Sequence, residues 1–109
     1  MKKSSKYTTV DLTTDPKSAI KDADIVMTDT FTSIHTSDPK RTEIFLPSFQ
    51  VNDSLMTKAK KEAIFMHCLP AKREQEVTSS VIDGQQSVVW DQAENRLHSQ
   101  KALLSSLGI

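Results

Sequence analysis

The chain has 109 residues, of which 37% are hydrophobic and 26% are charged, and this is typical of one small globular domain. Its 14 basic side chains balance 14 acidic ones, so the net charge favours neither nucleic acid nor an anionic membrane as a partner. The single cysteine cannot form an internal disulfide, and the basic start MKKSSKYTTV is followed by no apolar signal-peptide segment. We therefore expect a cytoplasmic protein without a membrane span.

The first part of the chain predicts a strand, a helix and a second strand. YTTVDL (7–12) contains strand-forming residues, and the segment after it predicts a helix with Asp15 as N-cap and Pro16 at its first position. DIVMTDTF (24–31) is a compact apolar run and predicts a buried strand. The polar Asp29 would then lie at the end of that strand.

The middle of the chain repeats this alternation. SDPKRTEIFLPSF (37–49) has a second Asp-Pro start and predicts a helix that must end or kink before Pro47. NDSLMTKAKKE (52–62) predicts a helix with Asn52 as N-cap, and AIFMHCL (63–69) predicts the next strand.

The last part predicts a short helix closed by Gly84, a strand at SVVW (87–90) and a long terminal helix. Asp91 and Glu94 have the spacing of a capping box at the start of that helix. Its apolar stripe consists of Ala93, Leu97, Leu104 and Leu107. Strands that alternate with helices predict an α/β fold, a three-layer sandwich whose parallel Rossmann-like sheet is covered on both faces.

In such a fold, functional groups collect beyond the carboxyl ends of the strands. Three segments would meet there: 29–33, 67–70, and the turn from Trp90 into the helix that carries Arg96. We expect them to form one site at the rim of the sheet.

The motif HCLP (67–70) contains the only cysteine directly after a histidine. Neighbouring side chains on a strand point to opposite faces, so His67 and Cys68 are not expected to form a nucleophilic dyad or a metal pair. The spacing alone also allows Cys68 to be a small buried side chain and His67 a satisfied core group. Pro70 favours a turn whose backbone carbonyls face a ligand.

The same segments resemble the carboxyl-terminal part of the ornithine carbamoyltransferases. HCLP is followed by EVTSSVIDGQQSVVWDQAENRLHSQKALL, and DADIVMTDTFTSI and FQVNDSLM precede it in the order found in that family. The resemblance runs from about residue 5 to about residue 107. It implies that residues 1–109 are part of an ornithine-binding domain.

The resemblance implies transfer of a carbamoyl group from carbamoyl phosphate to the side-chain amine of ornithine, with no cofactor or metal. Asp29 matches the aspartate that binds the α-amino group of ornithine, and Ser33 and Ile34 occupy the ornithine loop. Cys68 and Leu69 match the reacting end of the pocket, and Arg96 matches the arginine that binds the carbamoyl oxygen. The resemblance also implies a cis Leu69–Pro70 peptide bond and a trimeric complete enzyme.

The chain departs from the family pattern at two places. It has SIH (33–35) where the family usually has Ser-Met-Gly, which leaves the amine substrate open, and PAKREQE (70–76) replaces Pro-Ala-His-Arg-Gly-Glu-Glu. The Ser-x-Arg-Thr-Arg and His-Pro-x-Gln segments of the carbamoyl-phosphate domain have no counterpart here. We therefore expect a fragment that is inactive alone.

Three alternatives remain at the level of sequence. A transferase for putrescine or an N-acylated ornithine shares the HCLP and ENR features. A receiver-like signalling domain has a similar length and a strand-end aspartate, as Asp29 would be, but the segment TVDLTTD lacks its acidic pair and HCLP has no place in it. A non-catalytic remnant would only associate with another chain.

Overall fold

The computed structural model describes residues 3–5, 8–32 and 38–109. The strands are β1 (Lys3–Ser5), β2 (Thr8–Val10), β3 (Ile25–Thr28) and β4 (Ile64–His67). The helices are α1 (Pro16–Ala19), α2 (Pro39–Phe45), α3 (Asp53–Met56), α4 (Ser79–Ile82) and α5 (Val89–Ser106).

The sheet that positions the site is formed by β3 and β4, which pair in parallel from Ile25–Ile64 to Thr28–His67. Ser87 adds one further parallel bridge, to Phe65. The predicted strand at 7–12 exists as β2, but it pairs in antiparallel fashion with β1, outside the parallel sheet. The fold is therefore α/β with a parallel sheet, as predicted.

The core lies on one face of this sheet. Val26, Phe65 and His67 are buried on that face, and the core continues through Ile20, Val51, Leu55, Met56, Val77, Val81, Ile82 and Val89. On the opposite face, Ile25 is 56% exposed and Met27 is 58% exposed. The sequence predicts that both faces of the sheet are covered. Among the described residues, the face that carries Ile25 and Met27 is uncovered.

The predicted starts of three helices are confirmed. Asp15 Oδ1 accepts a hydrogen bond from the Lys17 amide, and Asp38 Oδ1 accepts one from the Lys40 amide, each at 3.0 Å. Asn52 Oδ1 accepts from the Leu55 amide at 2.9 Å. These caps satisfy amides that have no partner inside the helix.

The ends of the helices agree less well. Helix α2 ends at Phe45, before Pro47 as predicted. The helix predicted over 52–62 is wrong in length, because α3 covers only Asp53–Met56 and the chain then continues in turns. Gly84 follows α4 as predicted, and a Cβ at this position would lie only 2.7 Å from the Ser80 carbonyl oxygen. A larger residue would therefore displace the backbone.

The strand predicted at 87–90 and the capping box at Asp91 are wrong. Phe65 donates its amide to the Gln86 carbonyl and accepts from the Val88 amide, at 2.7 and 3.0 Å. The chain then turns directly into α5, whose N-cap is Val88 without a side-chain hydrogen bond. Val89 is 0% exposed. The helix therefore begins at this buried residue, before Asp91, where the capping-box pattern predicts its start.

The outer half of α5 is exposed. Leu103, Leu104 and Leu107 are 59%, 48% and 64% exposed. Even so, α5 and the other described helices are too short or too polar to cross a membrane. An apolar stripe of this kind on a helix favours association with another surface.

We expect the isolated chain to self-associate through residues 102–107. Burial of one leucine contributes about 1.5–3 kcal/mol, so two or three such side chains from each copy can hold a weak dimer. Sedimentation velocity over a range of concentrations should show a rising average mass. Leu104→Lys should suppress the rise, whereas Ser99→Lys, which adds the same charge at an exposed polar position of α5, should not. A monomer at all concentrations would contradict this expectation.

Candidate functional site

The site begins where β3 and β4 end. Asp29 follows β3 and Cys68 follows β4, and because the strands are parallel neighbours, their carboxyl ends meet at one edge of the sheet. Cys68 Sγ donates a hydrogen bond to Asp29 Oδ1 at 3.2 Å. The Thr30 amide donates to the same oxygen at 2.7 Å. The predicted meeting of these two strand ends is confirmed.

This contact shifts the pKa of both side chains. The pKa of Asp29 is lowered, first by the hydrogen bond from the Thr30 amide and then by the one from the Cys68 thiol. The pKa of Cys68 is raised, first because surrounding atoms partly displace water from the sulfur and then because Asp29 accepts its hydrogen. Cys68 is therefore a protonated thiol that donates a hydrogen bond to a carboxylate. Because the thiolate is the nucleophilic form of cysteine, this arrangement disfavours a role of Cys68 as a nucleophile.

His67 points away from the thiol, as the alternation of side chains on a strand predicts. It is 0% exposed, and its Nε2 donates to Glu76 Oε1 at 3.1 Å while its Nδ1 accepts from the Leu69 amide at 2.9 Å. His67 is therefore a satisfied core group, and a Cys–His dyad is absent. The alternative that Cys68 is buried is wrong, because its side chain is exposed.

The turn after β4 is held from inside the protein. Leu69 has φ of 52°, a left-handed conformation that costs a residue with a Cβ about 1–2 kcal/mol. The hydrogen bond from the Leu69 amide to His67 Nδ1 helps to hold that conformation. Glu76 Oε1 also accepts a hydrogen bond from the Lys72 amide at 2.6 Å. The Leu69–Pro70 peptide bond is cis, as predicted, and so is Leu46–Pro47.

A groove of about 490 Å³ opens beside this turn, between the turn and α5. Cys68, Leu69, Ala93 and Arg96 are among the residues that line it. The positive charge of Arg96 also acts on Cys68, where it partly opposes the rise of the thiol pKa. The structure thus places Cys68, Leu69 and Arg96 around one groove and connects Asp29 to Cys68 by a hydrogen bond, whereas Ser33 and Ile34 lie outside the described residues.

Several residues of the site were not found by sequence reasoning. Glu76 is 0% exposed, although it belongs to the charged run KREQE, which is typical of a surface. Lys72 Nζ donates to Thr32 Oγ1 at 2.6 Å and so connects the turn to the segment after β3. Gln92 on α5 accepts a hydrogen bond from the His67 amide. In the sequence, one observation pointed to Glu76 and Gln92. Both lie inside the segment that resembles the family.

The donor groups do not form a metal site. Across residues 3–5, 8–32 and 38–109, no three His, Cys, Asp or Glu side chains are grouped so that they could hold an ion. The arrangement instead offers a carboxylate, a thiol, a guanidinium and a fixed backbone turn. Such groups can bind an ammonium, orient an amine and stabilise negative charge on an oxygen.

The Asp29–Cys68 contact predicts slow reaction of the thiol. Because only the thiolate reacts with iodoacetamide, the rate plotted against pH should have its midpoint above the ordinary thiol value, in the direction of the raised Cys68 pKa. Asp29→Asn removes the negative charge and should move the midpoint down. The chain has one cysteine, so the signal is unambiguous, and Asp24→Asn is a control at an exposed aspartate away from the thiol. Equal midpoints for the three proteins would contradict the contact.

Comparison with known proteins points to one family. An ornithine carbamoyltransferase of Cenarchaeum symbiosum (strain A) is 67% identical over 100 residues, which cover 92% of this chain and 33% of that protein. One from Nitrosococcus oceani is 52% identical over 99 residues, which cover 90% of this chain and 33% of that protein. The chain therefore spans about a third of the length of these relatives.

Solved structures agree with the sequence comparison. The ornithine carbamoyltransferase from Pyrococcus furiosus superposes with a TM-score of 0.76 at 55% identity, over 84% of this chain and 29% of that chain. An N-acetyl-L-ornithine transcarbamylase gives a TM-score of 0.70 at 31% identity, over 85% of this chain and 29% of that chain. Both superpositions cover most of the described fold.

The family model described as "Aspartate/ornithine carbamoyltransferase, Asp/Orn binding domain" matches residues 1–107. This range includes both strand ends of the site, the turn after β4 and α5. The chain therefore belongs to the aspartate/ornithine carbamoyltransferase family, in the region of the Asp/Orn binding domain.

Proposed function

We propose that residues 1–109 supply the ornithine-binding side of an ornithine carbamoyltransferase. The observation that carries this proposal is the grouping of Cys68, Leu69 and Arg96 around one groove, with Asp29 hydrogen-bonded to the Cys68 thiol. The residue types suit the two charges of the reaction, an ammonium on the amino acid and a developing oxyanion on the carbamoyl group. The 67% identity with an ornithine carbamoyltransferase supports it independently.

The proposed reaction joins the neutral side-chain amine of ornithine to the carbamoyl carbon. The new C–N bond forms while the C–O bond to phosphate breaks, and the amine loses a proton, so that the products are citrulline and phosphate. The attacking amine must be deprotonated and aimed, and the carbamoyl oxygen must be stabilised as its negative charge grows. This chain's residues contribute to the aiming and to the stabilisation.

Each site residue has one role in this proposal. Asp29 binds the α-amino group, because its lowered pKa keeps it a carboxylate, and Ser33 and Ile34 contribute to the loop around ornithine. The Leu69 carbonyl, held by the turn, accepts a hydrogen bond from a nitrogen of the reactants. Cys68 orients Asp29 as a thiol donor. Arg96 stabilises the carbamoyl oxygen.

Ornithine is the favoured amine substrate. The identity of 55% with the Pyrococcus furiosus ornithine carbamoyltransferase exceeds the 31% identity with the N-acetyl-L-ornithine transcarbamylase. Asp29 also suits a substrate with a free α-amino group, which an N-acylated ornithine lacks. The segment SIH (33–35) is the place where putrescine or N-acylated ornithine specificity could arise.

We further propose a cytoplasmic enzyme of arginine metabolism that works as a homotrimer with ornithine and carbamoyl phosphate as substrates. The single cysteine, an exposed free thiol, suits a reducing compartment. The family membership supports the substrates. Size-exclusion chromatography with light scattering on a complete transferase tests the trimer.

The test of the function compares the chain alone with the chain plus a carbamoyl-phosphate domain. Residues 1–109 contain no counterpart of the phosphate-binding arginine segment, and losing such stabilisation removes orders of magnitude in rate. We expect no citrulline from the chain alone and measurable citrulline from the combination. Ornithine, putrescine and N-acetylornithine are offered in turn. Product from the chain alone, or from putrescine only, would contradict the proposal.

A further inference from the structure

The edge of β4 that faces away from β3 loses its partner segment before β4 ends. Phe65 uses both of its backbone groups on this edge, since its amide donates to the Gln86 carbonyl at 2.7 Å and its carbonyl accepts from the Val88 amide at 3.0 Å. In a strand, the next backbone groups that face the same edge belong to the residue two positions on, which is His67. The neighbouring segment has no strand left there, because it has already turned into α5.

The side chain of Gln92 replaces the missing backbone acceptor. The His67 amide donates to Gln92 Oε1 at 3.0 Å, and the bond is partly buried. Gln92 and the fully buried Val89 therefore attach the first turns of α5 to β4. From residue 94 to residue 109 every residue is exposed, so these two attachments set the direction of the helix.

The position of the Arg96 side chain depends on the direction of α5. It lies four residues after Gln92, which places it on the same face of α5, about 6 Å further along the axis. At that position it lines the groove together with Cys68 and Leu69. A tilt of α5 about Val89 would move the guanidinium out of this groove, since no hydrogen bond or ion pair within residues 3–5, 8–32 and 38–109 holds Arg96 itself.

We propose that Gln92 is a positioning residue, which holds Arg96 against the Cys68–Leu69 turn by completing the β4 edge. Its importance for catalysis rests on the proposed function, whereas its effect on the position of Arg96 does not. Gln92→Met keeps the size of the side chain but leaves the His67 amide without an acceptor. Gln92→Glu keeps an acceptor oxygen at the same place.

The position of residue 96 is measured by cross-linking in the full 109-residue chain. Arg96→Cys gives a protein with two thiols, and dibromobimane becomes fluorescent when it bridges both. Adding Gln92→Met should lower the initial rate of bridging about tenfold, the effect of leaving a partly buried donor unpaired. Gln92→Glu, and Gln100→Met at an exposed position of the same helix, should leave the rate unchanged. An unchanged rate with Gln92→Met would overturn the proposal.

A second measurement needs no substitution. Amide hydrogen exchange of the unsubstituted chain, followed residue by residue by NMR, should show a protected His67 amide. Exchange as fast as that of an amide without a hydrogen-bond partner would overturn the proposal even if Gln92→Met failed to fold.

Turnover then separates positioning from the function itself. In the chain combined with a carbamoyl-phosphate domain, Gln92→Met should lower kcat about tenfold with an unchanged KM for ornithine, and Gln92→Glu should restore it. If cross-linking falls as expected but the unsubstituted combination makes no citrulline, the positioning stands and the proposed function fails. If turnover is normal in Gln92→Met, the importance of Gln92 for catalysis is wrong.

Discussion

Arg96→Ala is expected to lower the turnover number about 100- to 1,000-fold in a complete transferase, the chain combined with a carbamoyl-phosphate domain. A guanidinium beside the carbamoyl oxygen acts mainly when negative charge develops, so its loss raises the barrier more than it weakens binding of the amine. Steady-state kinetics at saturating ornithine measure the effect. The KM for ornithine should change little.

The contrast with Asp29 makes this prediction specific. Asp29→Ala should chiefly raise the KM for ornithine, because in the proposed role its carboxylate contacts the amino group equally in the ground state and the transition state. Lys101→Ala removes a positive charge from an exposed position of the same helix and should leave both constants unchanged. The role assigned to Arg96 is wrong if its alanine variant changes only the KM for ornithine.

His67→Ala is expected to reduce the free energy of unfolding of the chain by about 3–5 kcal/mol. The change removes the acceptor of the Leu69 amide and the donor to Glu76 Oε1, and it leaves a cavity where the side chain was 0% exposed. The total stability of a small domain is only about 5–15 kcal/mol, so the loss is a large fraction. Urea unfolding followed by circular dichroism measures it.

His98→Ala is the matched control. His98 is exposed on α5, where its Nε2 lies 3.3 Å from Glu94 Oε1, and a surface pair of this kind contributes at most about 1 kcal/mol. Its variant should therefore unfold at nearly the same urea concentration as the unsubstituted chain. Similar losses for the two histidines would show that the buried contacts of His67 contribute little.

The local elements of this fold could be predicted because their causes lie within a few residues. Asp15 and Asp38 each cap a helix through an amide two residues later, and Asn52 does so through one three residues later. Pro47 excludes continuation of α2 for an equally local reason. The alternation of His67 and Cys68 across β4 follows from strand geometry alone.

Other features depended on partners far along the chain. The segment SVVW has strand-forming residues, yet only Ser87 bridges Phe65, and Val89 begins a helix because it is buried in the core. Glu76 looks like a surface residue in its charged run, but the fold places it against the His67 side chain and the Lys72 amide. Periodicity and propensity contain no information about such distant partners.

By itself, the sequence determined the α/β alternation, the caps of α1, α2 and α3, and the candidate side chains at the strand ends, because each follows from short-range geometry or residue chemistry. Only the tertiary structure decided which of them meet. Parallel pairing of β3 with β4 brings Asp29 to Cys68 across 39 positions of the chain. The Gln92 contact, 25 positions away from His67, directs α5 and Arg96 toward the same groove, since a hydrogen bond at a strand edge can be completed by any acceptor that the fold brings there.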